Sequence, residues 1–213
     1  INSGISPIYE DGLNDLLRDN IENKLKSSVD LHDAVINSNV SLIAVGTPFD
    51  GSLIDLSYVR QVSKEIGLSI KKKNSYHVVI VKSTVVPGTT DDVVTPLLEK
   101  YSGKKAGKDF GVGMNPEFLR EGVAVDDFMN PDRIVLGVYN KNKKKILNSI
   151  VRKFSNKIYY TTYREAELLK YASNSLLANL ISYSNEISMI ANNVGDINIS
   201  KMFKLLHLSL INI

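Results

Sequence analysis

The sequence of 213 residues contains no cysteine and no tryptophan, and its net charge is only +3. Without cysteine the chain cannot form disulfides, bind zinc or iron–sulfur clusters through thiolates, or supply a thiol nucleophile. Two lysine runs, at 71–73 and 143–145, are not interleaved with aromatic residues. We therefore interpret both runs as solvated helix surface and predict no nucleic-acid partner.

Long apolar runs and metal-ligand spacings are also missing. No apolar run approaches the roughly 18 residues that span a bilayer, and residues 1–10 lack the basic-then-apolar order of a signal peptide. We therefore expect a cytoplasmic protein with no membrane partner. The three histidines, His32, His77 and His207, are far apart in the sequence, and no metal site is predicted.

Short apolar runs alternate with longer amphipathic stretches along the first 162 residues. Strands are predicted at 40–45, 77–81, 110–113, 133–138 and 157–161. Helices are predicted between them, at about 56–70, 89–101 and 143–154. This alternation is typical of an α/β fold, in which a parallel sheet is built with right-handed helical crossovers.

The pattern changes after residue 162. From Tyr163 to Val194 the sequence has no proline or glycine, and apolar residues recur at helical spacing until Gly195. The predicted helix is about 45 Å long at 1.5 Å per residue, longer than a helix that only covers a sheet. A shorter helix is predicted from 199 to about 206. We therefore divide the chain into domains at 1–162 and 163–213.

Three segments are predicted to follow strands, at the sheet edge where ligands bind in α/β folds. They are Val45-Gly46-Thr47-Pro48, Lys82-Ser83-Thr84-Val85 and residues 114–122. Thr47 and Thr84 could equally be ordinary turn or cap hydroxyls. Glu117 could act as a general acid or base after a buried strand, or could simply begin a helix whose dipole favours a carboxylate.

Lys170 and Asn174 lie four residues apart on the predicted long helix and therefore share one face. The small residues Ala166 and Ala178 lie on that face and would let a ligand or another chain segment approach. The alternative interpretation is an exposed polar stripe beside a packed seam.

Six motifs follow one another along the chain. They are Ile1-Asn2-Ser3-Gly4 with Ser6-Pro7-Ile8, then Val45-Gly46-Thr47-Pro48, Lys82-Ser83-Thr84-Val85 with Pro87-Gly88-Thr89, the string from Asn115 to Gly122, Asn130-Pro131-Asp132-Arg133, and Ala166-Glu167 with Lys170-Tyr171 and Asn174. In this order they resemble the UDP-glucose/GDP-mannose 6-dehydrogenase family. The resemblance implies a Rossmann-like sheet and oxidation of the C6 alcohol of a nucleotide sugar, by two NAD⁺ and through a covalent thiohemiacetal.

The resemblance also implies roles for individual residues. Those near the cofactor NAD are Gly46, Thr47, Pro48, Ser83, Thr84, Val85 and Glu121, with Thr84 close to the reacting centre. Those that bind the nucleotide sugar are Glu117, Phe118, Leu119, Arg120, Glu121, Lys170 and Asn174. Among these, Glu117 resembles the general base for thioester hydrolysis, and Lys170 and Asn174 resemble the pair that stabilises the oxyanion at C6.

Two parts of the family pattern are missing from the sequence. The G-x-G at Gly111 and Gly113 has Pro116 in the position of a third glycine, so the phosphate-binding G-x-G-x-x-G turn is absent, and no cysteine can form the covalent intermediate. We therefore expect an incomplete Rossmann-like parallel sheet with flanking helices and a long central helix, in a truncated and inactive piece.

The preferred substrate of the complete enzyme is UDP-glucose, with GDP-mannose or UDP-N-acetylmannosamine possible. The resemblance further implies a homodimer through the long helix. The alternative is a non-catalytic remnant or interaction module that retains this dimerising helix.

Overall fold

The computed structural model describes residues 1–21, 23–138 and 144–210. Its sheet has five strands in sequential order: β1 (Val40–Ile43), β2 (Val78–Val81), β3 (Gly111–Met114), β4 (Ile134–Val138) and β5 (Ile158–Thr161). The pairs β1–β2, β2–β3 and β4–β5 are parallel. The predicted α/β class, with an incomplete Rossmann-like sheet, is confirmed.

Eight helices lie within the described residues. They are α1 (Leu13–Ile21), α2 (Leu31–Ile36), α3 (Ser57–Lys72), α4 (Thr95–Ser102), α5 (Ala124–Met129), α6 (Lys144–Val151), α7 (Tyr163–Val194) and α8 (Ile199–Leu210). A π-helical turn, Thr90–Val94, precedes α4. The predicted bounds of α7 are confirmed, and α8 is longer than predicted. Across the described ranges, none of the helices combines the length and apolarity needed to cross a bilayer.

The prediction of a wholly parallel sheet is wrong at one pair. Strands β3 and β4 are antiparallel, with Gly113 opposite Val138 and Met114 opposite Gly137. The intervening residues 115–133 contain only the six-residue helix α5. They do not form the helical crossover that a parallel pair needs, so the chain turns back beside the end of β3.

The sheet is buried on both faces, which is why its central strands read as continuous apolar runs. On one face, Val79 and Val81 pack in a cluster with Ile66 of α3 and Leu98 of α4. On the other face, a second cluster contains the remaining β2 residues and residues of β4 and α6, namely Val78, Ile80, Ile134, Leu136, Leu147 and Val151. These two layers hold the strand ends, and the loops that follow them, in fixed positions.

The lysine run at 71–73 is only partly the solvated surface that the sequence predicted. Lys71 and Lys72 are exposed, but Lys73 is buried. Its ammonium donates to the carbonyl oxygens of Val35 at 2.8 Å and Ile36 at 2.9 Å, and also to that of Ser38. Burial lowers the pKa of Lys73. Its side chain therefore satisfies the carbonyl end of α2. The second lysine run, at 143–145, is also predicted to be solvated surface, but its side chains lie outside those that the structure describes.

The chain forms two compact units, Ile1–Lys170 and Tyr171–Ile213. The first contains the sheet and the beginning of α7, and the second contains the rest of α7 and α8. Gly195 ends α7 with a left-handed φ of 80°, as its position in the sequence predicts. The side chain of Asn198 accepts from the Lys201 amide at 2.9 Å and so caps the start of α8. The domain division at 162/163 stays a prediction.

Candidate active site

The loops that follow β1 and β2 are joined by side-chain hydrogen bonds. The Ser83 hydroxyl donates to the Val45 carbonyl at 2.7 Å, and the Thr47 hydroxyl donates to the Thr84 carbonyl at 2.7 Å. These loops meet because β1 and β2 end in register, with Ile43 opposite Val81. The structure thus brings together the segments that the sequence predicts beside the cofactor. The Thr47 hydroxyl bonds across to the other loop, 37 residues away, and not within its own turn as the alternative interpretation predicts.

Asn115 joins the third predicted segment to this edge. Its backbone N–H donates to the Val81 carbonyl at 2.8 Å, and its side-chain NH₂ group donates to the Val135 carbonyl at 2.9 Å. The Lys82 ammonium donates to the Asn115 side-chain oxygen at 3.2 Å. Burial lowers the pKa of Lys82, an effect that Glu117 opposes and the charge of Lys170 increases. Lys82 therefore belongs to the same cluster of charges.

Glu117 and Lys170 form an ion pair, with 2.6 Å between Oε1 and Nζ. The lysine side chain is 8% exposed and the glutamate side chain 27% exposed. The second carboxylate oxygen of Glu117 accepts from the Leu119 amide at 2.8 Å. Glu117 lies in an irregular segment, so the alternative in which it begins a helix is wrong. Two residues that the sequence predicts as catalytic are therefore in direct contact.

The Phe118 ring lies close to two cations. The Arg133 guanidinium carbon is 4.5 Å from the ring centroid, and the Lys170 ammonium nitrogen is 5.8 Å from it. Such cation–π contacts hold the ring in place and keep positive charge at this sheet edge. Lys82 is a further cation at this edge, and its charge interacts with those of Glu117 and Lys170.

The rest of the predicted sugar-nucleotide loop is held by its own hydrogen bonds. Arg120 forms a two-pronged pair with Asp127, at 2.6 Å and 3.1 Å, and its amide donates to the same carboxylate at 2.8 Å. The Arg120 contacts hold the pKa of Asp127 below its ordinary value. The Arg120 side chain is thus directed toward α5. Leu119 and Glu121 are exposed.

Asn174 is placed by helix geometry alone. It follows Lys170 by one turn of α7 and belongs to the second compact unit. Its role beside Lys170 therefore stays a prediction from the sequence.

The two glycines of the G-x-G at 111 and 113 serve strand packing. A Cβ on Gly111 would lie 3.2 Å from the Tyr76 hydroxyl, and one on Gly113 would lie 3.1 Å from methyl carbons of Leu147. Both glycines are inside β3 and cannot form a phosphate-binding turn. Gly46, by contrast, has open space where a Cβ would be. A ligand can therefore approach the backbone of the loop at 46–48 closely at this position.

Sequence reasoning missed two residues at this edge. Arg133 and Lys82 were recognised as parts of motifs but not as groups of the site. Their positions, directly before β4 and directly after β2, are the signal that could have indicated them.

The α/β sheet and the loops at its carboxyl edge define a nucleotide-binding domain of the dehydrogenase type. A family model described as "UDP-glucose/GDP-mannose dehydrogenase family, NAD binding domain" matches residues 1–155. The model for the central domain of the same family matches residues 164–210. The chain belongs to the UDP-glucose/GDP-mannose dehydrogenase family, and its first domain is the NAD-binding domain of that family.

Individual relatives agree with this assignment. The chain is 46% identical over 198 residues to a GDP-mannose 6-dehydrogenase of Pseudomonas aeruginosa, and 39% identical over 202 residues to a UDP-glucose 6-dehydrogenase of Haloferax volcanii. Each alignment covers 92% of this chain, but only 45% and 46% of the respective relative. The chain thus spans less than half the length of these curated relatives.

Solved structures are similar as well. A ternary complex of GDP-mannose dehydrogenase from Pseudomonas aeruginosa matches with a TM-score of 0.92 and 42% identity, over 97% of this chain and 48% of that one. A UDP-glucose dehydrogenase from Pyrobaculum islandicum matches with a TM-score of 0.87 and 37% identity, over the same shares of the two chains.

Proposed function

We propose that this chain carries the NAD-binding and nucleotide-sugar-binding parts of a nucleotide-sugar 6-dehydrogenase, which oxidises a C6 alcohol to a carboxylate. The observation that supports this proposal is the ion pair between Glu117 and Lys170, located at the carboxyl edge beside the loops of the cofactor. A carboxylate that accepts protons and an ammonium that stabilises a negative oxygen are two of the groups such an oxidation needs.

NAD⁺ supplies the hydride acceptor when it is bound. We assign the loops at 46–48 and 83–85, with Glu121, to holding it, and we assign Thr84 to the reacting centre. Lys170, with Asn174 as a second donor, would stabilise the negative charge that develops on the C6 oxygen. Glu117 would accept a proton from the water that hydrolyses a thioester. This sequence has no cysteine, so it does not itself supply the thiolate for that intermediate.

The more specific part of the proposal is which nucleotide sugar the protein binds. We expect Phe118, Leu119, Arg120 and Glu121 to form its loop. UDP-glucose stays the substrate predicted from the sequence. GDP-mannose is an equally direct first ligand to test, because the GDP-mannose relative above is 46% identical and the UDP-glucose relative 39% identical.

The second candidate is an interaction module that works through α7. In the second compact unit, Leu176, Leu177, Leu180 and Ile181 are each about half exposed and fall on one stripe of the helix. An apolar stripe formed by four half-exposed side chains favours burial against another surface. We propose that this surface is α7 of a second copy, as the family resemblance implies.

Ligand titrations of the 213-residue chain test the binding part. We expect NAD⁺ to bind in the millimolar range or weaker, since no G-x-G-x-x-G turn holds the pyrophosphate; a Kd of 1 mM corresponds to about −4.1 kcal/mol. Calorimetry that detects a micromolar NAD⁺ site would contradict this expectation. UDP-glucose and GDP-mannose are titrated in parallel, and the tighter ligand identifies the substrate class.

A hybrid enzyme tests the catalytic part. The matching segment of the Pseudomonas aeruginosa GDP-mannose 6-dehydrogenase is replaced by this sequence, and turnover of both nucleotide sugars with NAD⁺ is measured. Lys170→Ala should lower kcat by roughly 10² to 10³, as for the loss of one oxyanion donor. Glu117→Gln should let a covalent adduct accumulate, visible by intact mass. The control is Lys105→Ala, an exposed lysine remote from these groups. Equal rates for Lys170→Ala and the parent hybrid would overturn the assignment.

A further inference from the structure

Glu10 connects the N-terminal segment to the far end of the predicted sugar-nucleotide loop. Its two carboxylate oxygens each accept one backbone hydrogen bond, from the Gly122 amide at 3.0 Å and from the Ala124 amide at 3.1 Å. Glu10 lies before α1, more than a hundred residues away in the sequence. The contact therefore fixes one segment against another that would otherwise be independent.

The loop it reaches is held at three points. Glu117 accepts from Leu119 at its beginning, Asp127 binds Arg120 in its middle, and Glu10 holds its end. The first two contacts are formed within the segment from 115 to 129. Glu10 thus supplies an anchor from outside that segment. Gly122 has a left-handed φ of 85°, which turns the chain so that its amide can meet the carboxylate.

The chemistry of the contact requires a carboxylate. Two backbone donors need two acceptor oxygens, and an ionised carboxylate has both, whereas a glutamine side chain has one oxygen and one donor group. Hydrogen bonds from amides to a carboxylate are also stronger than those to a neutral acceptor. Both oxygens of Glu10 accept from the loop backbone, so the contact fixes the loop at this end.

We propose that Glu10 is a positioning residue for the nucleotide sugar, because it fixes the loop from Phe118 to Glu121 and thereby sets the affinity for that ligand. This inference rests on the proposed function of the loop. Since Glu121 belongs to this loop and the proposed function also assigns it to the cofactor, NAD⁺ affinity is expected to change as well, but less than the affinity for the nucleotide sugar.

The test uses the complete 213-residue chain and the variant Glu10→Gln, with Asp11→Asn as the matched control. Asp11 is the neighbouring exposed carboxylate, so its loss changes charge by the same amount. Amide exchange of Gly122 and Ala124 is followed by NMR, and the Kd values of UDP-glucose, GDP-mannose and NAD⁺ are measured for each protein. If the glutamine variant does not fold, Glu10→Asp replaces it, since that side chain keeps its charge but is one methylene shorter.

We expect Glu10→Gln to raise the exchange rate of at least one of the two amides about tenfold or more, since glutamine keeps only one acceptor oxygen. The Kd of the nucleotide sugar should rise about five- to tenfold, while Asp11→Asn leaves it unchanged. Faster exchange with an unchanged sugar Kd would overturn the proposal, as would unchanged exchange. If the unmodified chain binds neither nucleotide sugar, the proposed function fails first, and that result is distinct because it precedes any variant.

Discussion

Glu117 and Lys170 are joined by a contact of 2.6 Å, yet the two partners are buried to different degrees. The lysine is almost completely enclosed, while the glutamate reaches solvent. If the carboxylate is lost, an ammonium is left in the interior without its partner. If the lysine is lost, the carboxylate can still be hydrated. The two halves of the pair are therefore not equivalent.

This asymmetry predicts unequal stability effects. Glu117→Gln should lower the free energy of unfolding by about 1–3 kcal/mol, between the values for exposed and buried pairs. Lys170→Met should lower it less, because an apolar side chain of similar volume leaves no buried charge. Urea unfolding measures both, with Lys105→Met as the control for an exposed ion pair, since Lys105 pairs with Glu99 at 2.9 Å. A larger loss for Lys170→Met than for Glu117→Gln would contradict the prediction.

A second prediction concerns Glu167, which is completely buried. Its carboxylate accepts from the Gly88 amide at 2.6 Å and the Thr90 amide at 2.8 Å, and so ties α7 to the loop after β2. Glu167→Gln replaces one acceptor by a donor, so one buried amide loses its partner. We expect a loss of about 1–3 kcal/mol in the free energy of unfolding.

The matched control for Glu167 is Glu186→Gln, an exposed glutamate on the same helix. Chemical denaturation of both variants gives the comparison. If the free energy of unfolding falls by the same small amount in both variants, the hydrogen bonds from Gly88 and Thr90 to Glu167 do not contribute to stability.

The third prediction concerns pH and His77. This side chain is buried, with Nε2 2.9 Å from the Ser41 hydroxyl and Nδ1 3.2 Å from the Ser38 carbonyl. Burial lowers the pKa of His77, the charge of Lys73 lowers it further, and the Ser38 carbonyl opposes both. The unfolded chain, with an ordinary pKa of about 6.5, therefore binds a proton more readily than the folded chain.

It follows that the contribution of His77 to the free energy of unfolding is complete above pH 6.5. This contribution is lost as the pH falls toward the folded-state pKa. The slope can approach about 1.4 kcal/mol per pH unit. Urea unfolding between pH 7.5 and pH 5 should show that the free energy of unfolding of the parent chain falls with pH, and that it falls less in His77→Gln. His32→Gln, at an exposed histidine, should retain the parent slope. Parallel slopes for all three proteins would rule out His77 as the source.

The fourth prediction concerns self-association. A charge in the apolar stripe of the second unit should oppose its burial against another copy, since an unpaired charge is costly to desolvate. Leu180→Glu should therefore shift the chain toward monomer in light scattering at micromolar concentration. Ser182→Glu adds the same charge at an exposed position on the opposite side of the same helix and should leave association unchanged. A parent chain that is already monomeric would overturn the proposed dimer.

Sequence reasoning succeeded where the signals are local. The bounds of α7 follow from a run without proline or glycine that ends at Gly195, and the strands follow from short apolar runs closed by turns. Glu117 and Lys170 were predicted from a family resemblance, but their contact depends on how α7 returns to the sheet edge. No local pattern encodes that return.

The features that the sequence did not predict also depend on contacts between residues far apart in the chain. Lys73 resembles its exposed neighbours in sequence, and it is buried only because α2 ends where its ammonium can reach the carbonyl oxygens. Glu10 lies in an irregular segment, and nothing near it in the sequence indicates Gly122. The direction of β4 likewise depends on the path of the whole preceding segment.

The reversal between β3 and β4 makes residues 115–133 tolerant of changes in length. A helical crossover must carry the chain back over the sheet, so it has a minimum length. A segment that rejoins the sheet beside the strand it left has no such limit. Insertions or deletions here could keep Gly113 opposite Val138 while they reshape the surface around Glu117. The length of this surface segment can therefore change without rebuilding the sheet.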